Sequence, residues 1–141
     1  MDIRYARTET DLRRCFPVVV QLRPHLSQAE FINRVLQQRQ EGYQLVYVEA
    51  EDGVKAIAGF RIQNMLAHGR ILYVDDLVTD ASSRSQGYGQ QLISWLQGQA
   101  QAQGCSSLQL DSGVHRAEAH RFYFREGLVI TSFHFAKPLQ S

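Results

Sequence analysis

The stretch Arg84-Ser85-Gln86-Gly87-Tyr88-Gly89 lies between a predicted strand over residues 71–79 and a predicted helix that continues to about residue 103. Glycine lets a loop take positive φ angles and pass close to a ligand, because it has no Cβ. The first amide N–H groups of the following helix lack partners within the helix, and they carry the positive end of its dipole. This arrangement predicts a phosphate-binding site where the helix begins.

Length and composition limit what the chain can be. At 141 residues, with 44% hydrophobic and 21% charged residues, it is expected to form one soluble domain spanning residues 1–141. A net charge of +1 argues against a nucleic-acid partner, which would need a basic surface. No apolar run approaches the ~20 residues of a membrane span, and the N-terminus lacks the pattern of a secretory signal. We therefore expect a cytoplasmic protein with no nucleic-acid or membrane partner.

The cysteines support the same compartment. Cys15 and Cys105 are far apart in the chain and do not form a Cys-x-x-Cys motif. We interpret them as two free thiols in a reducing environment. No spacing of His, Cys or carboxylate residues indicates a metal site, so no metal is expected.

Apolar periodicity predicts the elements of the first part of the chain. In order, they are a strand over 3–7, a helix over 8–22, a helix over 27–42, and strands over 43–50, 54–63 and 71–79. Ser27 and Glu30 have the spacing of a capping box, in which each side chain bonds the other residue's free N–H. Pro17 is expected to break or kink its helix. Gly59, inside a strand, indicates a bulge or a close backbone approach.

The second part of the chain continues with alternating helices and strands. The helix after the glycine loop is followed by a strand over 106–110, a helix over 117–126 and a strongly alternating strand over 129–136. A strand, a helix and a second strand around the glycine loop require a right-handed crossover connection. The order of elements therefore predicts a mixed sheet with helices packed against it.

Three blocks, in this order and at these separations, resemble motifs of the GNAT superfamily of N-acetyltransferases. They are Asp75-Asp76-Leu77-Val78-Thr79-Asp80, the stretch from Arg84 to Gly89, and Ala119-His120-Arg121-Phe122-Tyr123-Phe124-Arg125-Glu126-Gly127-Leu128. The resemblance covers essentially the whole chain. It implies the GNAT fold, an α/β (α+β) arrangement with a mixed central sheet of about six to seven strands flanked by about four helices. The sequence departs from the family signature at Arg116, where Asn is usual, and at Leu128, where Phe is usual.

The resemblance also implies acetyl-CoA as the acyl donor. The pantetheine arm of the donor is expected to pair with the backbone of Leu77, Val78 and Thr79, much as an added strand would. Charge from Arg84 is expected to assist pyrophosphate binding. The N–H groups expected to bind the pyrophosphate are those of Ser85, Gln86, Gly87, Tyr88, Gly89 and Gln90.

The reaction implied is direct attack of a primary amine, on a small molecule or a peptide or protein, on the acetyl thioester. A base must take a proton from the amine, and Asp75 and Asp76 are the candidates, with a water chain as the alternative. In a regular strand the two point to opposite faces, Asp76 sharing its face with Leu72 and Val74. Only one is then expected to reach the cleft, although a bulge would change this count. Either carboxylate could instead be a solvated residue at the end of the sheet.

Tyr123 is expected, by the resemblance, to donate its phenolic proton to the departing CoA thiolate. The competing interpretation makes it a core aromatic beside Phe122 and Phe124. Three consecutive aromatic residues on a helix cannot all face one way. His115 and His120 are further candidates for moving protons near neutral pH.

Two other classes of function are considered. A catalytically silent acyl-CoA sensor or interaction module would keep the fold without turnover, although it would need neither Tyr123 nor the adjacent acids. An ATP-binding domain would require Lys-Ser/Thr after the glycines, where Gln90-Gln91 stand instead. The acceptor is expected to be selected by the first two helices and by the loops 64–70 and 113–116. A homodimer paired through the C-terminal strand is a further hypothesis.

Overall fold

The computed structural model describes residues 2–140 and confirms a mixed α/β fold. The chain begins with β1 and two helices, continues with three long strands, and ends with helix, strand and helix. The elements are β1 (Ile3–Tyr5), α1 (Glu9–Leu22), α2 (Gln28–Arg39), β2 (Gln44–Ala50), β3 (Gly53–Met65), β4 (Gly69–Thr79), a 3₁₀ turn (Ala81–Ser83), α3 (Tyr88–Ala102), β5 (Ser107–Leu110) and α4 (Ala117–Arg125).

The first two helices begin at capping boxes. The predicted box of Ser27 and Glu30 is present at α2, and α1 has a second box formed by Thr8 and Asp11. Each box satisfies N–H groups that have no partner within the helix. Pro17 lies inside α1, yet the helix is continuous from Glu9 to Leu22, so the predicted break is absent.

The described residues form one five-stranded sheet, in the order β1-β2-β3-β4-β5. Neighbouring strands are antiparallel except β5, which runs parallel to β4. The expectation of about six to seven strands is therefore too high. The predicted strand over 129–136 is not formed: these residues have no strand assignment.

The helices α1 and α2 share one apolar core with one face of the sheet. Leu12 and Cys15 of α1 are fully buried there with Leu45 and Ile57 of the strands. On α3, the Trp95 ring packs edge-on against Phe60 of β3, at 5.7 Å between centroids. The side chains of β3 therefore alternate between two packed environments, as expected for a sheet covered on both sides.

Two compact units are distinguished, one ending at Leu110 and the other beginning at Asp111. Within the second unit, α4 ends at Arg125 and Gly127 follows with a φ of +91°. Both Cys15 and Cys105 are free, as predicted. Across residues 2–140, no helix is long and apolar enough to cross a membrane.

Candidate functional site

Within residues 2–140, the C-terminal half of β4 pairs with a strand on one side only. β4 pairs with β5 only from Ile71 to Val74, although its pairing with β3 continues to Thr79. Along the edge that faces away from β3, no strand within residues 2–140 pairs with residues 75–79, although the carbonyl oxygen of Asp75 accepts a hydrogen bond from Arg23. Leu77, Val78 and Thr79, predicted to contact the pantetheine arm, lie on this open edge.

The glycine loop follows this edge directly. Gly87, with a φ of +85°, is the N-cap of α3 and provides no side-chain cap for the helix. Ser85 has a φ of +68°, which is uncommon for a residue other than glycine. The first N–H groups of α3, beginning at the buried Tyr88, are consequently not capped by a side chain. This is the geometry of an anion site at a helix N-terminus.

The loop is tied to α1 by one side chain. Nε2 of Gln21 donates to Asp80 Oδ1 at 2.7 Å, and Oε1 of Gln21 accepts from the N–H of Ala81 at 2.8 Å. Asp80 in turn accepts from the N–H of Ser82. These bonds hold the end of β4 and the start of the loop against the first helix.

A β-bulge in β4 overturns the predicted arrangement of the two aspartates. Val74 pairs with Phe60 and Asp76 pairs with Gly59, so Asp75 is an extra residue without an opposite partner. The bulge reverses the alternation, and Asp76 does not share a face with Val74. Both aspartates line the same cavity, and the expectation that only one reaches it is wrong.

Asp76 accepts hydrogen bonds on both carboxylate oxygens. Nε of Arg23, at the C-terminus of α1, donates to Oδ1 at 3.0 Å, and the Tyr43 hydroxyl donates to Oδ2 at 2.7 Å. Burial raises the pKa of Tyr43 well above its usual range, and the charge of Asp76 adds to the shift. The Tyr43 hydroxyl is therefore held protonated as a donor to the carboxylate.

Asp75 is paired with a different arginine. Nε and a terminal nitrogen of Arg61 each lie 3.0 Å from one of its carboxylate oxygens, which is a bidentate pair. Burial raises the pKa of Asp75 above its ordinary value, although the hydrogen bonds and charge of Arg61 oppose the shift. Arg61 also lies over the Tyr43 ring, at 5.5 Å from its centroid.

The two aspartates lie at a cavity of about 340 Å³ between the first two helices and the sheet. Its wall combines apolar side chains with charged and polar groups, as ligand pockets commonly do. The first two helices contribute to this cavity, whereas the loop 64–70 does not. The lining residues are Val19, Arg23, His25, Leu26, Phe31, Arg34, Gln38, Tyr43, Leu45, Ile57, Asp75 and Asp76.

Tyr123 belongs to the second unit, on α4. Its side chain is 9% exposed and meets the Phe122 ring edge-on at 5.6 Å, while Phe124 is 53% exposed. The three aromatic residues thus face different ways, as predicted. In the same unit His120 Nε2 lies 2.8 Å from the carbonyl oxygen of Gly113.

No cluster of metal-ligating side chains occurs among residues 2–140. The expectation of a site without metal stays a prediction. Arg84 is exposed at the start of the glycine loop.

Sequence reasoning missed the residues that hold the aspartates. Arg23 falls between the predicted helices over 8–22 and 27–42, and Tyr43 and Arg61 fall within predicted strands. The one local signal was Gly59, since a Cβ there would lie 1.8 Å from the Tyr43 hydroxyl oxygen. Gly59 therefore indicates both the close approach of the Tyr43 side chain and the bulge in the neighbouring strand β4.

Comparisons with known proteins find relatives that are named N-acetyltransferases. An uncharacterised N-acetyltransferase of Bacillus subtilis (strain 168), YhdJ, is 32% identical over 88% of this chain and 89% of its own length. An aminoalkylphosphonate N-acetyltransferase of Salmonella typhimurium (strain LT2) is 36% identical over 66 residues, 47% of this chain and 43% of that protein.

The fold recurs in a solved structure of the aminoglycoside N-acetyltransferase AAC(6')-Iy in complex with CoA. The two share 17% identity, the TM-score is 0.85, and the match covers 99% of this chain and 95% of the other. Residues 5–127 match the profile of the acetyltransferase (GNAT) family. This protein belongs to that family and is an acetyltransferase.

Proposed function

We propose that this protein transfers an acetyl group from acetyl-CoA to the primary amine of a small molecule held in the cavity beside Asp75 and Asp76. The observation that carries the proposal is the continuity of three features along one strand. The two aspartates come first, the open backbone edge of Leu77 to Thr79 follows, and the uncapped start of α3 comes after it. A donor with a pantetheine arm and a pyrophosphate has the length and chemistry to use the last two features together.

The donor is bound mainly by backbone groups in this proposal. Amides of the pantetheine arm pair with the open edge of β4, as a peptide does in β-augmentation. The N–H groups from Ser85 to Gln90 take the pyrophosphate, with Arg84 adding positive charge. The complex of the similarly folded AAC(6')-Iy with CoA supports this choice of donor.

Asp75 is the proposed proton acceptor. A general base works best when its pKa approaches the working pH, and burial moves the pKa of Asp75 in that direction. Asp75 takes the proton, directly or through a water, as the amine nitrogen bonds to the thioester carbon. Asp76, with Arg23 and Tyr43 on its oxygens, is the positioning residue that fixes the wall of the cavity.

Tyr123 is the proposed acid. As the C–S bond breaks, its phenol gives a proton to the sulfur of CoA, so that a neutral thiol leaves. The match of its surroundings to the family signature supports this role. The competing role, packing against Phe122, predicts a different response to substitution.

The charges of the cavity indicate which amines it accepts. Each aspartate forms an ion pair with an arginine, so the two carboxylates contribute little net negative charge to attract a polycationic acceptor. Arg34 adds a positive group to its wall, and no further carboxylate within residues 2–140 lines it beside Asp75 and Asp76. We infer an acceptor that carries an acidic group besides its amine. The substrate named for the Salmonella relative, an aminoalkylphosphonate, has this chemistry.

The test is release of CoA thiol from acetyl-CoA with matched acceptors of similar length. At the end opposite the reacting amine, 2-aminoethylphosphonate and β-alanine carry an acidic group, ethanolamine carries a neutral hydroxyl, and putrescine carries a second, cationic amine. We expect the phosphonate or the carboxylate to give the highest kcat/KM. A preference for putrescine would contradict the inferred acidic acceptor, but it would leave the proposed acetyl transfer intact. Tight acetyl-CoA binding without turnover on a broad amine panel would favour the silent sensor.

A further inference from the structure

The side chain of Gln21, at the C-terminal end of α1, uses both parts of its amide. Nε2 donates to Asp80 Oδ1 at 2.7 Å and to the carbonyl oxygen of Pro17 at 3.1 Å. Oε1 accepts from the N–H of Ala81 at 2.8 Å. This orientation of the amide pairs its NH₂ group with two acceptors and its oxygen with a donor, and the flipped orientation would pair neither. The side chain therefore joins α1 to a segment 59 positions later in the sequence.

Asp80 is the residue through which this contact reaches the glycine loop, residues 84–89. Its Oδ2 accepts from the N–H of Ser82 at 3.2 Å and from the Ser82 hydroxyl. Its carbonyl oxygen accepts from the N–H of Ser83 at 2.9 Å, and its own N–H donates to the carbonyl oxygen of Lys55 on β3 at 2.7 Å. Asp80 is also the N-cap of the 3₁₀ turn that leads into the loop. It thus joins α1, β3 and the turn at one point.

The loop after this turn contains a backbone conformation that needs support from its surroundings. Ser85 has a φ of +68°, in the left-handed region that a residue with a Cβ rarely adopts. Gly87 follows with a φ of +85°. A conformation of this kind persists where neighbouring contacts hold it, and it is common at ligand sites. Gln21 supplies such contacts where the segment begins.

The same end of α1 also holds the wall of the cavity. Arg23, two residues after Gln21, donates from Nε to Asp76 Oδ1 and from a terminal nitrogen to the carbonyl oxygen of Asp75, both at 3.0 Å. The N–H of Arg23 donates to the carbonyl oxygen of Val19 at 2.9 Å, which keeps Arg23 attached to the last turn of the helix. One turn of α1 therefore contacts both the aspartates of the cavity and the segment that leads into the glycine loop.

We propose that Gln21 is a positioning residue for acetyl transfer, which holds the glycine loop in its donor-binding conformation and at a fixed place relative to the cavity. This inference rests on the proposed function, in which the loop binds acetyl-CoA. Gln21 acts through Asp80 and Ala81 rather than on a substrate. A loop that is already ordered loses less conformational entropy when it binds a ligand, so Gln21 strengthens donor binding. Because the bound donor itself orders the loop, the effect of Gln21 is largest in the free protein.

The first test is the Kd of acetyl-CoA, measured by calorimetry without an acceptor amine. Gln21→Ala should raise the Kd about 3- to 10-fold, the range expected for the loss of one net hydrogen bond. Gln101→Ala is the matched control, since Gln101 is also the last-but-one residue of its helix, is exposed, and has no side-chain hydrogen bond within residues 2–140. It should leave the Kd unchanged. A Gln21→Ala variant with a lower melting temperature but the wild-type Kd would overturn the proposal.

Hydrogen exchange tests the order of the loop directly. In the free protein, amides within 81–87 should exchange faster in Gln21→Ala than in the wild type. With saturating acetyl-CoA the difference should disappear, because the donor then orders the loop. Equal exchange of the two free proteins over these residues would overturn the proposal.

Gln21→Glu tests the hydrogen bond to Asp80. Near neutral pH the introduced carboxylate cannot donate, and it would face the charge of Asp80, whose pKa is lowered by hydrogen bonds from Ser82 and Gln21 and by the charge of Lys55. The variant should therefore bind acetyl-CoA more weakly than Gln21→Ala. As the pH falls, the introduced carboxyl gains a proton that it can donate to Asp80, so the ratio of the two Kd values should decrease. A ratio that does not change with pH would overturn the proposal.

Gly87→Glu distinguishes a failure of this inference from a failure of the proposed function. If Gly87→Glu weakens acetyl-CoA binding while both Gln21 variants keep the wild-type Kd, the loop binds the donor and Gln21 does not position it. If Gly87→Glu binds acetyl-CoA as the wild type does, the donor site lies elsewhere and both proposals are overturned.

Discussion

The hydroxyl of Tyr43 donates to the carboxylate of Asp76 at 2.7 Å, and its ring reaches that carboxylate by crossing β3 at Gly59. Gly59 is paired with Asp76 in the sheet. The absence of a Cβ at Gly59 therefore leaves room for the Tyr43 side chain. Gly59 also lies opposite the bulge in β4, and both aspartates line the cavity. Replacement of this glycine should disturb the cavity without touching a charged group.

Gly59→Ala is expected to destabilise the protein by about 1–3 kcal/mol, because it displaces Tyr43 and leaves Asp76 without one donor. Denaturant unfolding measures the change. Gly98→Ala is the matched control, since Gly98 is exposed on α3 and a Cβ there meets open space. It should stabilise the protein by about 0.5–1 kcal/mol, because alanine favours a helix interior. Equal effects of the two substitutions would contradict the role given to Tyr43.

Asp75→Asn is expected to lower turnover by about 10²- to 10⁴-fold, because the amide cannot accept the proton of the amine. The loss should be greatest near neutral pH and smaller in alkaline solution, where the amine is deprotonated by the solvent. Asp76→Asn is the comparison. It should mainly reduce stability and raise KM, since Arg23 and Tyr43 lose a charged acceptor. Full activity in Asp75→Asn would mean that water or Asp76 serves as the base.

The raised pKa of Asp75 also gives two pH dependences with a definite sign. The wild-type kcat/KM should fall as the pH is lowered through this pKa, which lies above the ordinary value of 3.8. Folding favours the protonated carboxyl, so the contribution of Asp75 to stability falls as the pH rises from its unfolded value through its folded value. The stability of wild type relative to Asp75→Asn should therefore decrease over that interval. An increase would contradict the burial argument.

Local rules were enough for much of the fold, but they did not predict how the cavity is built. The box of Ser27 and Glu30 and the glycine after α3, Gly104 with a φ of +73°, depend on residues close in sequence. Arg23 and Asp76 are 53 positions apart, and their bond depends on the packing of α1 against the sheet. No periodicity within one element encodes such a pair.

The C-terminal segment is a second case in which a local pattern does not determine the structure. The alternation from Val129 to Ala136 reports a preference for extended structure, which a strand realises only beside another strand. The bulge at Asp75 is a related case. It depends on the register of two strands, so the alternation of β4 alone predicted the wrong face for Asp76.

Gly87→Glu is expected to weaken acetyl-CoA binding by well over tenfold, which is more than about 1.4 kcal/mol, measured by calorimetry. The carboxylate would stand at the start of α3, where the pyrophosphate is proposed to bind. Gly87→Ala separates charge from backbone strain, because any residue other than glycine is strained at a φ of +85°. Alanine should bind acetyl-CoA several-fold more tightly than glutamate. Equal affinities of the two folded variants would remove the phosphate site from this loop.

Tyr123→Phe is expected to fold and to bind acetyl-CoA normally but to turn over slowly. The phenolic proton matters only as the C–S bond breaks and negative charge gathers on sulfur, so its loss affects the transition state and spares ground-state binding. A general acid typically contributes about 10²- to 10⁴-fold, and the lower end is expected because a CoA thiolate is a fairly good leaving group. Phenylalanine keeps the buried ring and its edge-on contact with Phe122, so the melting temperature should barely change. The maximal rate and the melting temperature are measured on the same preparation. Activity close to that of wild type would assign Tyr123 to packing alone, and the acid would then have to be the solvent.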